Sequence, residues 1–464
     1  ALFCRKFAYF TGRPPRRAPF ERSPRPSNMS SSPHAAPKRT ALILSGGGAR
    51  GAYEVGVLWY VFDELARLRG KSPRVDIISG TSVGAINGCY LASHLDDTSQ
   101  GLRRLVSMWS ELEFTKVVRF GPKQLWSIPK LLTGGTRETG FFNAEPLAEL
   151  VAREIRWRSV ARSIRNRALH GLTVSTTEVA TGRTVVFMQT SPDVALPAAA
   201  PPRTLFRADH IGPTHALASA AIPLVFPPVR IDGSLYIDGG LRQNTPIAPA
   251  LRLGASHILA VGSSREVRGV VVSEDSREAA RVPGAAFLLG KVLNAFLLDH
   301  IDVDIELLSR INQVLADGTS VYGNEFTSKI NELVKRRGGM PYSPVSSLAV
   351  RPSEDLGRLA AAHVRRGKFL GNPMFVKQIL NLLDVGAGDE SDLASYLLFD
   401  GTFCRTLIEL GRSDAHARRH EILAFFEDAE SDRPQVEELP PADRQKYPSV
   451  PPPSSLPTFP KIGS

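Results

Sequence analysis

Three cysteines in 464 residues, Cys4, Cys89 and Cys404, are too few and too scattered for a disulfide framework. Their number is odd, which fits a reducing compartment. No C-x-x-C pair and no His/Cys cluster points to a metal, so no metal and no cofactor are expected. No run of about 18 apolar residues is present, so no membrane-crossing helix is expected. Excess charge is missing from most of the chain as well. The formal net charge is +11, yet residues 1–40 hold nine Lys and Arg against Glu21 alone. That places +8 in the leader and leaves +3 for everything after it, a balance that excludes a nucleic-acid binder as the simplest reading.

What is present is an ordinary globular composition, 42% hydrophobic and 22% charged, long enough for a large core and more than one folded unit. Residues 1–39 read as a disordered, basic, Arg/Pro-rich leader. It lacks the apolar core of a secretory signal and only weakly resembles a transit peptide. Such a leader can touch an anionic membrane surface. Position 1 is not Met, and Met29 is a candidate start of the mature chain.

The chain is organised around Gly80-Thr81-Ser82-Val83-Gly84. This is G-x-S-x-G, a serine on a tight turn between a strand and a helix. Val75-Asp76-Ile77-Ile78 before it reads as a short buried strand, and Ala85 to Ala92 after it as a helix of small and apolar residues. Gly80 and Gly84 leave room for the turn and for close helix-on-strand packing. The bland reading of such a pattern is a small-residue turn, and other stretches decide against it. Thr40 to Ser45 reads as a first strand running into Gly46-Gly47-Gly48-Ala49-Arg50-Gly51. A helix follows, with Val55, Trp59, Phe62 and Ala66 on one stripe. A glycine loop opening a helix offers free backbone N–H groups to a phosphate or to an oxyanion, and Arg50 is expected to add a fixed cation.

Gly46, Gly48 and Gly51 also satisfy G-x-G-x-x-G, so a dinucleotide site is a rival reading. That fold needs an acidic residue at the far end of the second strand. Here Asp76 stands at the near end, and the far end is the serine turn itself.

Residues 100–160 read as amphipathic helices, with a loop around Trp126–Pro129 and Thr133–Thr136 that could cover the site. Residues 172–176 and 184–188 read as strands joined by a turn at Thr181-Gly182-Arg183. A small-residue helix is expected over 215–221. Two alternating runs flank Asp232-Gly233, a hairpin turn, which explains Asp232 structurally. Asp238 differs: it ends a strand and is followed by Gly239 and Gly240. A carboxylate there can face the serine turn, although a turn or a helix cap would also explain it. Residues 258–261 supply another strand.

Taken together these stretches resemble the patatin-like phospholipase family. Gly46 to Leu58 is similar to its glycine-rich loop and following helix, Gly80 to Asn87 to its serine elbow, and Asp238-Gly239-Gly240 to its Asp-Gly-Gly/Ala motif. Ala218–Pro223 and Asn244–Ile247 match further stretches common there. The motifs fall in the family's order within residues 41–262. The resemblance implies a three-layer α/β/α sandwich with a mainly parallel central sheet. It implies a lipid acyl hydrolase of the phospholipase A or lysophospholipase type, acting through a Ser-Asp dyad. Ser82 would be the nucleophile and Asp238 the base. Gly46 to Gly51 would form the oxyanion loop, with the N–H groups of Gly47, Gly48 and Ala49 as donors. The substrate would be a phospholipid or another acyl-ester lipid, met at a transient membrane surface by a cytoplasmic protein of unspecified oligomeric state. A Ser-His-Asp triad would need His257, which instead opens an apolar strand. The reading from another functional class is a non-catalytic nucleotide- or acyl-CoA-binding regulator using the glycine loop.

The remaining boundaries follow composition. Residues 40–265 are read as the catalytic domain and 266–430 as a helical extension packed on it. The Pro-rich stretch 431–464 is read as a disordered tail. A long helix is expected from Pro283 to Asp317, its apolar face either packed or left as a lipid-docking stripe. Residues 392–399 and 421–426 are too apolar to leave in water, and residues 391–414 resemble the C-terminal region of some bacterial patatin-like proteins. His363, His416 and His420 lie among arginines and are expected at the solvated surface.

Overall fold

The computed structural model describes residues 38–118, 143–197, 200–223, 225–265, 301–367, 369–370 and 392–431. Residues 1–37 and 432–464 of the two expected tails, the loop at 126–136 and the expected helix start at 283–300 lie outside the described residues. The described residues belong to one compact unit.

The first strand, β1 (Thr40–Leu44), runs into a 3-10 turn over Gly48–Arg50. Helix α1 (Gly51–Trp59) then continues through a π turn into α2 (Leu65–Arg69), closed by Gly70 in the left-handed region. Strand β2 (Ile77–Thr81) delivers the chain to Ser82 and α3 (Val83–Ala92). Three helices follow among the described residues. They are α4 (Thr98–Ser110), whose cap Asp97 accepts from the Gln100 N–H, the short α5 (Phe114–Val117) and α6 (Glu145–Glu154). After α7 (Trp157–Arg165) come β3 (Gly171–Glu178), β4 (Thr184–Thr190), β5 (Thr204–Ala208) and α8 (Pro213–Ser219). A hairpin of β6 (Val229–Ile231) and β7 (Ser234–Asp238) turns at Asp232 and Gly233, both with positive φ, as the Asp-Gly signal predicts. Helix α9 (Ile247–Arg252) and β8 (His257–Val261) lead to the extension.

The sheet order is β5-β4-β3-β2-β1-β8 and a further strand, β9, after the two helices described next. β1, β2, β3 and β8 are parallel neighbours, while β4 and β7 run antiparallel to β3. Side chains alternate between two cores. Leu42, Leu44, Ile78, Leu259 and Val261 enter one, and Ala41, Ile43, Ile77, Ile258 and Ala260 enter the other. A sheet buried on both faces produces near-continuous apolar strands rather than alternating ones, which is how β1 and β8 read. The result is the expected three-layer α/β/α sandwich.

The extension departs from a purely helical reading. It begins, among the described residues, with α10 (Ile301–Tyr322) and α11 (Phe326–Arg336). Then Ser346–Val350 forms β9, which pairs in parallel with β8 and enlarges the central sheet. The run is bounded by Pro344 and Pro352, breaker signals that a purely helical reading of the extension passed over. α12 (Leu356–Arg366), α13 (Asp392–Leu397), α14 (Gly401–Ala417) and α15 (Arg419–Ser431) complete the chain. α14 lies against α1, which explains why Gly51 to Leu58 are all buried where one apolar stripe was expected. On α10, Ile301, Leu308 and Leu315 are buried, while Val303, Leu307, Val314 and Val321 are exposed. His416 and His420 are exposed as expected. His363 is not: its side chain is 12% exposed, and its ring lies 3.3 Å from the Asp400 carboxylate, with Thr402 Oγ1 at 3.1 Å.

Candidate active site

Ser82 stands where β2 ends and α3 begins, at φ 55° and ψ −129°. Positive φ in a residue with a side chain is a strained state held by its surroundings. The holding contacts are visible. The Ser82 N–H donates to Ser219 Oγ at 2.8 Å, and Ser219 Oγ donates to the Ser175 carbonyl at 2.6 Å. Close packing needs Gly84, because a Cβ there would stand 2.4 Å from the Leu44 carbonyl oxygen.

Sheet register brings Asp238 to this turn. On one edge of β3, Thr81 is the partner of Ser175, and Asp238 is the partner of the next residue, Thr176. The end of β7 therefore meets the end of β2 head-on. Ser82 Oγ donates to Asp238 Oδ2 at 2.5 Å, across 156 residues of sequence. The other oxygen, Oδ1, accepts from the Gly240 N–H at 2.7 Å. Gly239 packs directly on the Ser175 carbonyl. Asp238 is fully buried, and burial pushes its carboxyl up to about 7 against the opposing pull of those two hydrogen bonds.

The glycine turn lies beside them. A Cβ on Gly46 would come 3.0 Å from the Ser82 Cβ. Three of the six expected loop donors are already committed. The Gly46 N–H donates to the Asn244 carbonyl, the Arg50 N–H to the Gly47 carbonyl, and the Gly51 N–H to carbonyls of the turn itself. The N–H groups of Gly47, Gly48 and Ala49 have no protein acceptor among the described residues, as the start of a 3-10 turn dictates. Gly48 sits at φ +55°, and a Cβ there would lie 2.3 Å from the Tyr396 carbonyl of α13. The loop Gln243–Pro246 ties the strand ends together. Thr81 Oγ1 donates to the Gln243 carbonyl, Ser79 Oγ to the Pro246 carbonyl, and Ser45 Oγ meets Thr245 Oγ1.

Arg50 does not supply the expected fixed cation to the loop. Its side chain is buried, with Nε donating to Ser395 Oγ at 2.8 Å and the guanidinium 4.0 Å above the Tyr396 ring. It fastens the glycine turn to the extension. His257 starts β8 opposite Thr40 at the start of β1, so it lies at the other end of the parallel strands from Ser82, with Nε2 2.9 Å from Asp428 Oδ2. It forms no triad.

Ser82 and Gly48 open onto a cavity of about 300 Å³. Its walls are largely apolar: Val83 and Ile86 of α3, Leu105 and Trp109 of α4, and Leu147 and Val151 of α6. Nothing in the sequence marks this cavity, because its wall residues come from helices far apart in the chain. Among the described residues no group of three or more His, Cys, Asp and Glu side chains could hold a metal.

A parallel sheet with a serine on a strained strand-to-helix turn, and a glycine turn on the neighbouring strand, defines an α/β protein of the nucleophile-elbow class. Residues 42–251 match the family model "Patatin-like phospholipase", so the chain carries a patatin-like phospholipase domain. An uncharacterized NTE family protein of Mycobacterium tuberculosis is 26% identical over 261 residues, 54% of this chain and 58% of that one. Patatin-like phospholipase domain-containing protein 7 of Rattus norvegicus is 27% identical over 48% of this chain and 13% of its own length. A probable lipid hydrolase of invertebrate iridescent virus 6 is 25% identical over 46% of this chain and 63% of its own. The chain thus spans under two thirds of the length of each of these relatives. Among solved structures, VipD from Legionella pneumophila superposes on 68% of this chain and 62% of its own at TM-score 0.25 and 14% identity.

Proposed function

We propose that this protein is a lipid acyl hydrolase that cleaves carboxylic esters through a Ser82–Asp238 dyad and an acyl-enzyme. The observation that carries the reading is the 2.5 Å contact from Ser82 Oγ to a buried carboxylate oxygen of Asp238. A serine hydroxyl becomes a useful nucleophile when a positioned base takes its proton. An ordinary carboxylate is too weak a base, but one pushed up to about 7 by burial is matched to neutral pH. Among the described residues its side-chain oxygens accept from Ser82 and Gly240, and no histidine takes part.

Ser82 Oγ attacks the ester carbonyl as its proton passes to Asp238. The N–H groups of Gly47, Gly48 and Ala49 face the developing oxyanion, each such donor being worth about 3 kcal/mol of barrier. The carbon–oxygen bond to the alcohol breaks, and the alcohol leaves with the proton from Asp238. Water then attacks the acyl-enzyme as the same carboxylate takes its proton, the bond to Ser82 Oγ breaks, and that proton returns to Oγ as the fatty acid leaves.

The domain match and the apolar cavity beside Ser82 support a lipid ester as substrate. A membrane or micelle surface would present it. Among the described residues no helix is long and apolar enough to cross a membrane.

A fluorophosphonate probe tests the reading, because it labels only an activated serine. The wild-type protein is expected to be labelled and to release fatty acid from mixed phospholipid vesicles. Ser82→Ala abolishes labelling, Asp238→Asn lowers turnover about 10³-fold or more, and His257→Ala leaves it intact. Absence of labelling in the folded wild type would favour the rival, a nucleotide- or acyl-CoA-binding regulator. Loss of turnover in a folded His257→Ala protein would replace the dyad with a triad.

A further inference from the structure

The cavity beside Ser82 has a direction. Its floor follows α3 from Ser82 through Val83, Ile86 and Asn87 to Tyr90. α4 lines the same cavity with Arg104, Leu105, Met108 and Trp109, and its Gly101 lies at the Tyr90 hydroxyl. The far end is fixed by contacts. Tyr90 is buried, its hydroxyl donates to the Gly101 carbonyl of α4 at 3.2 Å, and its ring stacks on His94 at 4.2 Å. Arg104 of α4, which also lines the cavity, pairs with Glu154 of α6 at 2.7 Å, and Arg153 pairs with the same carboxylate. The slot is therefore largely apolar, with a buried ring and a solvent-facing ion pair on its walls.

Resting on the hydrolase reading above, we infer that this slot is the acyl-chain subsite, and that Tyr90 with the Arg104–Glu154 pair is the stop that sets how long a straight acyl chain it takes. From Ser82 to Tyr90 the helix rises roughly 12 Å, eight residues at about 1.5 Å each. An extended chain advances about 1.2 Å per bond, as the reach of a fully extended backbone shows. The slot therefore holds about ten carbons. Longer chains must bend, or displace the Tyr90 ring and strip water from the solvent-facing Arg104–Glu154 pair. The substrate class that fits is esters of medium-length, unbranched acyl chains.

The test is the chain-length profile of p-nitrophenyl esters from butyrate to palmitate on the full-length protein. The wild type is expected to peak at octanoate to decanoate and to fall at least tenfold at palmitate. Tyr90→Ala raises the palmitate-to-octanoate ratio of kcat/KM by tenfold or more. Ile86→Trp, which fills the slot halfway, lowers the octanoate-to-butyrate ratio by a similar factor. Because Tyr90→Ala removes a buried ring and can fail to fold, Ile86→Trp alone is sufficient to decide. An unchanged ratio in the folded Ile86→Trp protein overturns the assignment and places the acyl chain elsewhere. If the wild type hydrolyses no ester and takes no fluorophosphonate, the hydrolase reading is what fails. The slot is then judged by calorimetric titration with free decanoate. Binding that Ile86→Trp abolishes keeps the slot, and binding that it leaves unchanged, or none in the wild type, removes it.

Discussion

At the scale of the residue, Asp238 holds the most consequential position. Its carboxyl keeps a proton up to about 7 in the folded chain, whereas the ordinary aspartate value is 3.8. The folded state therefore binds more protons than the unfolded state between those values, and stability falls as pH rises through that window. The loss amounts to ~4 kcal/mol above the upper value. Asp238→Asn keeps the shape without the charge. That variant is expected to be more stable than the wild type at pH 8 and no more stable below pH 4, read by thermal unfolding at the two pH values. An equal gap at both would mean the carboxylate is not desolvated. Under the proposed mechanism the same group sets the rate profile: kcat/KM for a soluble ester is expected to climb with pH along a limb centred near 7. Arg50 teaches the complementary lesson. Its motif position is as expected, yet its charge serves packing, because Tyr396 and Ser395 reach it first.

At the scale of the element, α1 and α14 approach each other backbone to backbone. A Cβ on Gly56 would stand 2.0 Å from the Ile408 carbonyl oxygen, and one on Gly411 would stand 2.1 Å from that of Tyr53. Both clashes are with backbone, so neither helix can yield locally. Gly411→Val is expected to cost at least about 2 kcal/mol, seen as a lower urea midpoint. The damage should spread to the site, because α1 is the direct continuation of the glycine turn. A Gly411→Val protein as stable as the wild type would mean that α14 is free to shift. Strand β7 shows the constructive side of element placement. Its pairing with Thr176 to Glu178 of β3 is what sets Asp238 against Ser82.

At the scale of the whole molecule, the extension is continuous with the catalytic core. β9 covers the edge of β8, and α14 and α15 bury Phe403, Leu407, Ile408, Ile422 and Phe426. Burial of that many large side chains contributes on the order of 10 kcal/mol, comparable to the whole stability of a typical domain. A chain ending at residue 265 is expected to lack a cooperative unfolding transition and to be degraded rapidly under limited proteolysis. A chain ending at 431 is expected to unfold cooperatively. A stable, fluorophosphonate-reactive 38–265 fragment would show instead that the extension is dispensable.

The sequence by itself determined the serine turn, the glycine turn, the Asp-Gly hairpin and the apolar strands. Each of these is written in a few adjacent residues, through left-handed tolerance, missing side chains or periodicity. It placed Ser82 and Asp238 at strand ends, but it did not hold the distance between them. That distance was decided by the register of two strands on one edge of β3, a sum of pairings spread over 160 residues. Tertiary structure also decided the commitment of Arg50, the strand nature of 346–350 and the cavity beside Ser82. Those features depend on which surfaces meet, and a local stretch of chain has no information about what will be packed against it.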